Sequence, residues 1–361
     1  MEAAGPGDHP WYGRLFGDAE MAALFAPAFE LAAWRDWELA HVAVLGALGE
    51  APASCVKEIE TALIESVADP ALGAAVAEGA ARDGMGVPAF VAHIRSRLSP
   101  EAAALFHRGA TSQDLIDTMW VLRLRAGRGI LLERLEWLDR ALAGLEDRFG
   151  ARRLMGRTRM QAALPIRVAD RIRLWREPLL RIGERARAMG PRVDVLQYGG
   201  PVGDGRPFGP ERARALAREM AARLGLHLPE GPWHAMRDRM LDQGAWLATV
   251  AGALGKFAED VALMSQQGIG DVRLAAGGRS SAMAHKRNPV KAEIMVAMAR
   301  KASAALGVLS GAQIHEQERS GAAWALEWLA LSELLLLTGA LGRQALVLVG
   351  EIEALGEKGS A

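Results

Sequence analysis

The chain has 361 residues, half of them hydrophobic, and its 43 Lys plus Arg are matched by 43 Asp plus Glu. That length and apolar fraction supply a large core in one or two domains, and the charge balance argues against a strongly basic nucleic-acid-binding surface. A single cysteine, Cys55, excludes an internal disulfide framework and reads as a small buried or half-buried thiol.

From the N-terminus onward the periodicity is helical, with Ala, Leu, Arg and Glu supplying the propensity, and no convincing strand run stands out. The first twenty residues lack a basic segment followed by an apolar one, so no secretory signal is expected. Helices are predicted at about 19–48, 53–67 and 71–82, with a shorter piece at 88–97. Longer ones follow at about 112–148, 165–189, 234–268, 289–316 and 320–355. The Arg-rich run from Arg123 to Arg187 is interleaved with acids and reads as a solvated, ion-paired helix face. Between 196 and 210, "LQYGGPVGDGRPFGP" cannot be regular structure, and without a flanking strand its glycines make no phosphate-binding fingerprint.

In the segment 234–268 the residues Met240, Trp246, Leu247, Val250, Leu254, Phe257, Val261 and Leu263 follow a repeat near 3.6. Such a helix, about 50 Å long, seldom satisfies all its faces within one small domain. An all-α long-helix bundle is therefore expected, with a smaller helical N-terminal domain at 1–110, the bundle at 111–355 carrying the oligomer core, and a tail at 356–361. The apolar stretch near 330–350 is broken by Glu333 and Arg343 and reads as a buried bundle helix, so neither membrane nor nucleic acid is expected as a partner. Trp324 and Trp328, four apart, read as core or interface.

Three polar clusters interrupt this fabric. "FHRGATSQDLIDT" (106–118) lets Gly109 end one element while Thr111 or Ser112 caps the next helix. "GRTRMQAALPI" (156–166) reads as a turn before Pro165 opens a helix. "GGRSSAMAHKRNPVKAE" (277–293) holds Asn288, the only asparagine in the chain, and Lys286, one of six lysines against 37 arginines. Asn288 before Pro289 is a helix-start signal, but a plain cap leaves Ser280, Ser281, His285, Lys286 and Arg287 unexplained. A Gly-led loop of this composition ahead of a helix favours an anion. Histidines and acids show no metal-ligand spacing, and no cofactor is expected.

"SSAMAHKRNP" resembles the signature loop of the fumarase/aspartase superfamily, Ser-Ser-x-Met-Pro-x-Lys-x-Asn-Pro. "HRGATSQDLIDT" is similar to its second signature, and "GRTRMQAALP" stands where its Gly-Arg-Thr-His-x-Gln segment belongs. Within the superfamily, "GATSQDLIDT", "GPWHAMRDR" and "HEQERSGAAWALEW" look most like the 3-carboxy-cis,cis-muconate cycloisomerases of protocatechuate breakdown. The resemblance runs from about residue 10 to about 350. It implies a cytoplasmic, cofactor-free homotetramer whose sites are shared between subunits and whose substrate is a small tricarboxylate.

The shared chemistry moves a proton beside a carboxylate while charge accumulates on that carboxylate, and only groups that hold the added charge better speed the step. By the resemblance, Lys286 and Asn288 would hold that charge, and Ser280 or His285 would handle the proton. His107, Thr111, Ser112, Thr158, Gln161, Ser281 and Arg287 would bind the substrate. Arg237 and Arg239 would either help neutralise it or form a structural ion-pair network.

The chain departs from the family pattern at four places. Ala284 replaces a proline, which should loosen the loop, and Arg279 replaces a glycine where the backbone must bend. Arg159 replaces the histidine of many lyases, which fits the cycloisomerase branch better than the fumarases. The small C-terminal helical domain of many relatives is not expected. Another lyase of the superfamily, such as an adenylosuccinate lyase-like enzyme, and a helical scaffold with a decayed site remain alternatives.

Overall fold

In the computed structural model, residues 5–283 and 285–357 are described. Ala284 and the end of the expected tail lie outside them. Two short helices, α1 (Gly13–Phe16) and α2 (Ala19–Ala23), precede α3 (Pro27–Ala47), α4 (Ala53–Val67), α5 (Pro70–Asp83), α6 (Val87–Arg95) and α7 (Pro100–Leu105). The long α8 (Ser112–Phe149) leads into a hairpin of β1 (Arg153–Thr158) and β2 (Gln161–Arg167), then α9 (Val168–Val193) and α10 (Pro210–Arg223). After α11 (Asp238–Met264) come three short strands: β3 (Val272–Leu274), β4 (Gly278–Arg279) and β5 (Arg287–Asn288). The remaining elements are α12 (Val290–Gly311), α13 (Ala322–Gly350) and β6 (Ile352–Leu355).

The fold is the expected long-helix bundle. α8, α9, α11, α12 and α13 pack along one another, with α13 against α8, α11 and α12. α3 packs on α8 and α10, and α4–α7 gather around α3 and the start of α8. The segment 234–268 was read correctly for its inward face: Met240, Trp246, Leu247, Val250, Leu254, Phe257 and Val261 are all buried, with Met264 rather than Leu263 completing it. Each such side chain contributes roughly 1.5–3 kcal/mol by leaving water. α11 and α12 approach so closely that a Cβ on Gly255 would lie 2.6 Å from the Ala299 methyl. α12 and α13 are long and apolar enough to cross a membrane by length and composition, and both are packed in the bundle.

Several expectations need correction. The segment 156–166 is a β-hairpin, not a turn before a helix: Pro165 lies in β2 opposite Met155, on a two-stranded ribbon where proline's missing N–H is tolerated. The helix expected at 165–189 runs Val168–Val193 instead. Asn288 does not cap α12; it lies in β5 opposite Gly278, and Pro289 takes the cap position without a side-chain hydrogen bond. Arg279 is in an extended strand paired with Arg287, so its side chain is exposed instead of obstructing a bend.

The Arg-rich run is only partly solvated. Arg176 bonds Asp139 and Glu146, and Arg187 bonds Glu136, near the surface. Arg123 and Arg128, however, are buried, paired with Glu30 and Asp194. Cys55 is buried and free.

Candidate active site

The first cluster is built around Asp114. Its carboxylate accepts the Thr111 backbone N–H at 2.9 Å, closing a capping box at the start of α8, and the Gly200 N–H at 3.0 Å. The ring of His234 sits 2.8 Å from its other oxygen. Gly109 (φ +75) and Gly200 (φ +71) meet here, and a Cβ on Gly200 would lie 2.7 Å from the Gly109 carbonyl. Only glycine accommodates both the left-handed backbone and that approach. The irregular 196–210 loop is thereby fastened against the Thr111 turn.

One turn further along α8, Asp117 accepts from both terminal nitrogens of Arg237 at 2.8 and 3.1 Å, from Trp324 Nε1 at 3.0 Å and from Gln113 and Gln197. Arg237 also grips Glu327, with bonds of 2.9 and 2.5 Å. All three charged side chains are buried. Burial works against the Arg237 cation, but its two carboxylate neighbours hold its pKa above the ordinary value. Burial pushes the Glu327 carboxyl up against the pull of Arg237. Arg237 is therefore structural and does not face a ligand. Arg239 bonds the Arg192 carbonyl and Glu230. Trp324 is core, edge-on to the half-buried Trp328.

Around this buried base stand the groups that face outward. Thr111 and Ser112 are half-buried. Arg319, from the 312–321 connection between α12 and α13, is exposed and donates to Thr111 Oγ1 at 2.6 Å. His107 has a left-handed φ of +60, and its Nδ1 is 2.5 Å from Glu38 Oε1. In the same connection as Arg319, His315 has both ring nitrogens buried without a partner, and burial followed by the nearby Arg237 charge pushes it down.

The other two clusters lie at the opposite end of the bundle. α8 carries the chain about 57 Å, at 1.5 Å for each of its 38 residues, from Thr111 to the β1–β2 hairpin. Arg319, which follows α12, bonds Thr111, so the start of α12 and the loop before it lie at the far end. β3 pairs with β6, and Glu357 just beyond it bridges to Arg153 at the base of the β1–β2 hairpin. The 278–288 loop and the hairpin therefore share one end, and the Thr111 cluster occupies the other.

At that end most of the candidate side chains are open to solvent. Thr158 and Gln161 pair across the hairpin tip and are exposed, and the two turn residues, Arg159 (φ +49) and Met160 (φ +68), are both left-handed. That backbone normally calls for Asn or Gly, so the tip carries strain, a frequent mark of functional sites. Ser281, His285, Lys286 and Arg287 are exposed; Ser280 and Asn288 are half-buried. Ser280 Oγ accepts from the Ala282 and Met283 backbone N–H groups at 3.2 and 3.0 Å. Beneath the β4–β5 pair lies a cavity of about 250 Å³ bordered by Gly277, Gly278, Val290, Lys291 and Glu351.

The structure thus brings His107, Thr111 and Ser112 together at one end. It brings Thr158, Gln161, Ser280, Ser281, His285, Lys286, Arg287 and Asn288 to the other. A cavity of about 910 Å³ contains none of these; it lies between the N-terminal segment and α12–α13, bordered by Phe16, Met298, Leu336 and Leu337. Among the described residues no group of His, Cys, Asp and Glu could hold a metal ion. Sequence reasoning missed Arg319 and Glu38. The polar break "HEQERSG" between two apolar helices is the signal for the first; Glu38, one of three acids in α3, carries no comparable mark.

A family described as lyase matches residues 37–303. The chain is 37% identical over 348 residues to a 3-carboxy-cis,cis-muconate cycloisomerase from Pseudomonas aeruginosa, an alignment covering 95% of this chain and 75% of that protein. It is 33% identical to a nitrosuccinate lyase from Streptomyces davaonensis, covering 88% of this chain and 69% of the relative. The crystal structure of 3-carboxy-cis,cis-muconate lactonizing enzyme from Pseudomonas putida has a TM-score of 0.87 at 32% identity, covering 96% of this chain and 77% of that one.

Proposed function

The chain belongs to the lyase family of the fumarase/aspartase superfamily, and on that premise we propose that it is a 3-carboxy-cis,cis-muconate cycloisomerase. The reaction closes a lactone: one carboxylate oxygen of the substrate adds to the distal alkene carbon, and a proton is delivered to the carbon beside another carboxylate. In this reading the chain is a soluble cytoplasmic enzyme acting on a small tricarboxylate in protocatechuate degradation.

The observation that carries the reading is the set of residues around Ser280. Two backbone N–H groups point at its Oγ and favour an oxygen that carries negative charge, as a serine exchanging a proton with carbon must. Lys286 supplies a compact cation and Asn288 a neutral donor for the carboxylate on which charge accumulates. His285 is the alternative proton donor, with the better unperturbed affinity for a proton near neutrality. Ser281, Arg287, Thr158 and Gln161 would bind the remaining carboxylates from this end.

His107, Thr111, Ser112 and Arg319 would complete the set, and they lie at the opposite end of the bundle, about 57 Å along α8 from the hairpin and about 33 Å along α12 from the 278–288 loop. A substrate of this size cannot touch both ends of one chain. The sites would therefore form between subunits of a homotetramer, the Thr111 end of one chain meeting the 278–288 loop and hairpin of others.

The test is to supply 3-carboxy-cis,cis-muconate and follow the loss of its conjugated-diene absorbance, with sedimentation giving the oligomeric state. Turnover by a tetramer is expected. A folded tetramer that leaves the diene intact rejects the assignment, and nitrosuccinate is then the next substrate to try, given the similarity to the Streptomyces davaonensis enzyme.

A further inference from the structure

Glu38 is a buried charge that the proposed reaction leaves without a role. It sits on α3 with no exposed surface; Oε1 lies 2.5 Å from His107 Nδ1 and Oε2 3.8 Å from His41 Nδ1. Burial would raise its pKa, yet the charge and hydrogen bond of His107, followed by those of His41, bring it down to about 2. An ionised carboxylate sealed from water requires a cation, and two histidines compete for that place.

They are not equivalent. His41 is 1% exposed, its ring lies against Trp37 and Tyr198, and its Nε2 is buried with no partner. A charge there would leave a buried N–H unsatisfied. His107 is closer to the carboxylate, 12% exposed, and belongs to the Thr111 cluster. Among the described residues its Nε2 makes no hydrogen bond. Tyr198 is a further ionisable neighbour; burial, then the Asp114 and Glu38 charges, push its hydroxyl up, and the Arg108 charge opposes them.

We propose that Glu38 is a positioning residue for substrate binding: it holds the His107 ring through Nδ1–H so that Nε2–H donates to a carboxylate of the substrate beside Thr111 and Arg319. The inference rests on the carboxylate-substrate reading given above. With Glu38 accepting at Nδ1, a neutral ring would turn a lone pair outward and repel the ligand, so donation requires the doubly protonated ring. A second residue orienting a ligand-facing histidine is a recurring device. The left-handed backbone of His107 is a strained conformation of the kind that the surrounding structure must hold in place.

Glu38→Gln keeps the shape and removes the charge. Its KM is expected to rise roughly tenfold or more while kcat changes by less than about twofold, as for loss of a charged hydrogen bond made equally in ground and transition states. Glu38→Asp should recover part of the loss. Solid-state 15N spectra of histidine-labelled protein at pH 7, assigned against His107→Gln, should show both His107 nitrogens protonated in the wild type and one unprotonated in Glu38→Gln. An unchanged KM in Glu38→Gln, or a wild-type His107 with an unprotonated Nε2, overturns the proposal. If Glu38→Gln fails to fold, the wild-type spectrum decides alone. That spectrum needs no substrate, so it also stands apart from failure of the cycloisomerase assignment.

Discussion

The two ends of the helical bundle are built on opposite principles. At the Thr111 end a base of buried charges is satisfied from within: Asp114 by two backbone N–H groups and His234, and Arg237 by Asp117 and Glu327. At the hairpin end His285 and Lys286 are exposed in the loop between β4 and β5, and Arg287 is exposed in β5 itself. The buried base of the first end is finished by the chain's own folding. The second, in the proposed function, is finished by another subunit and a ligand. Substitutions of the buried charges should accordingly register as stability, and substitutions of the ligand-facing groups at either end as activity.

The largest effects should come from the exposed loop. Lys286→Ala and Ser280→Ala are each expected to lower kcat by about 10²–10⁴, with melting temperature unchanged because neither side chain is buried. A Ser280→Ala enzyme with full activity would remove serine from the proton transfer and leave His285. Next comes Arg237→Met, which strands two facing carboxylates in the core and should cost about 3–5 kcal/mol of stability in urea unfolding at fixed protein concentration. Near-normal stability in that variant would blur the distinction between the ends.

A smaller, pH-dependent effect follows from Glu38. Its pKa is depressed from 4.5 to about 2 in the folded chain, so its contribution to stability is present above about pH 4.5 and is lost as pH falls toward 2. Melting temperatures across that window should fall less steeply for Glu38→Gln than for the wild type. The smallest change is expected from Arg159→Gly. It relieves a left-handed residue in the hairpin turn and should stabilise by up to about 1 kcal/mol. A loss of melting temperature would mean that the Arg159 side chain, not its backbone, holds the tip.

Much of the bundle was legible because its helices are long and their apolar faces regular; α4 was predicted at 53–67, where it lies, and α8 within one residue at its end. The β1–β2 hairpin was not. Beyond the buried Leu154 at its base it is largely exposed, so no sustained alternation marks it, and its turn uses Arg159 and Met160 where Gly or Asn would have given the signal. Helix α10, with the amphipathic sequence "PERARALAREMAAR", was passed over beside the Gly/Pro-rich loop that precedes it.

The site motifs were visible for a different reason. In a chain so rich in Arg, Ala and Leu, a lone asparagine and a rare lysine stand out. What composition could not reveal is which charges are buried. Arg123 and Arg237 look in sequence like their solvated neighbours, and only the packing of α8 against α3 and α13 separates them. The Glu38–His107 contact joins residues 69 apart, and nothing local in either stretch announces the other.

The uninterrupted length of α8 acts as a ruler between the two ends. Each residue added to or removed from it would shift one end by about 1.5 Å and rotate it by about 100° relative to the other. Insertions within α8 should thus be tolerated only in multiples that nearly restore the angular phase, whereas the exposed turn at Pro201–Val202, between the anchors at Gly200 and Gly205, imposes no such phase.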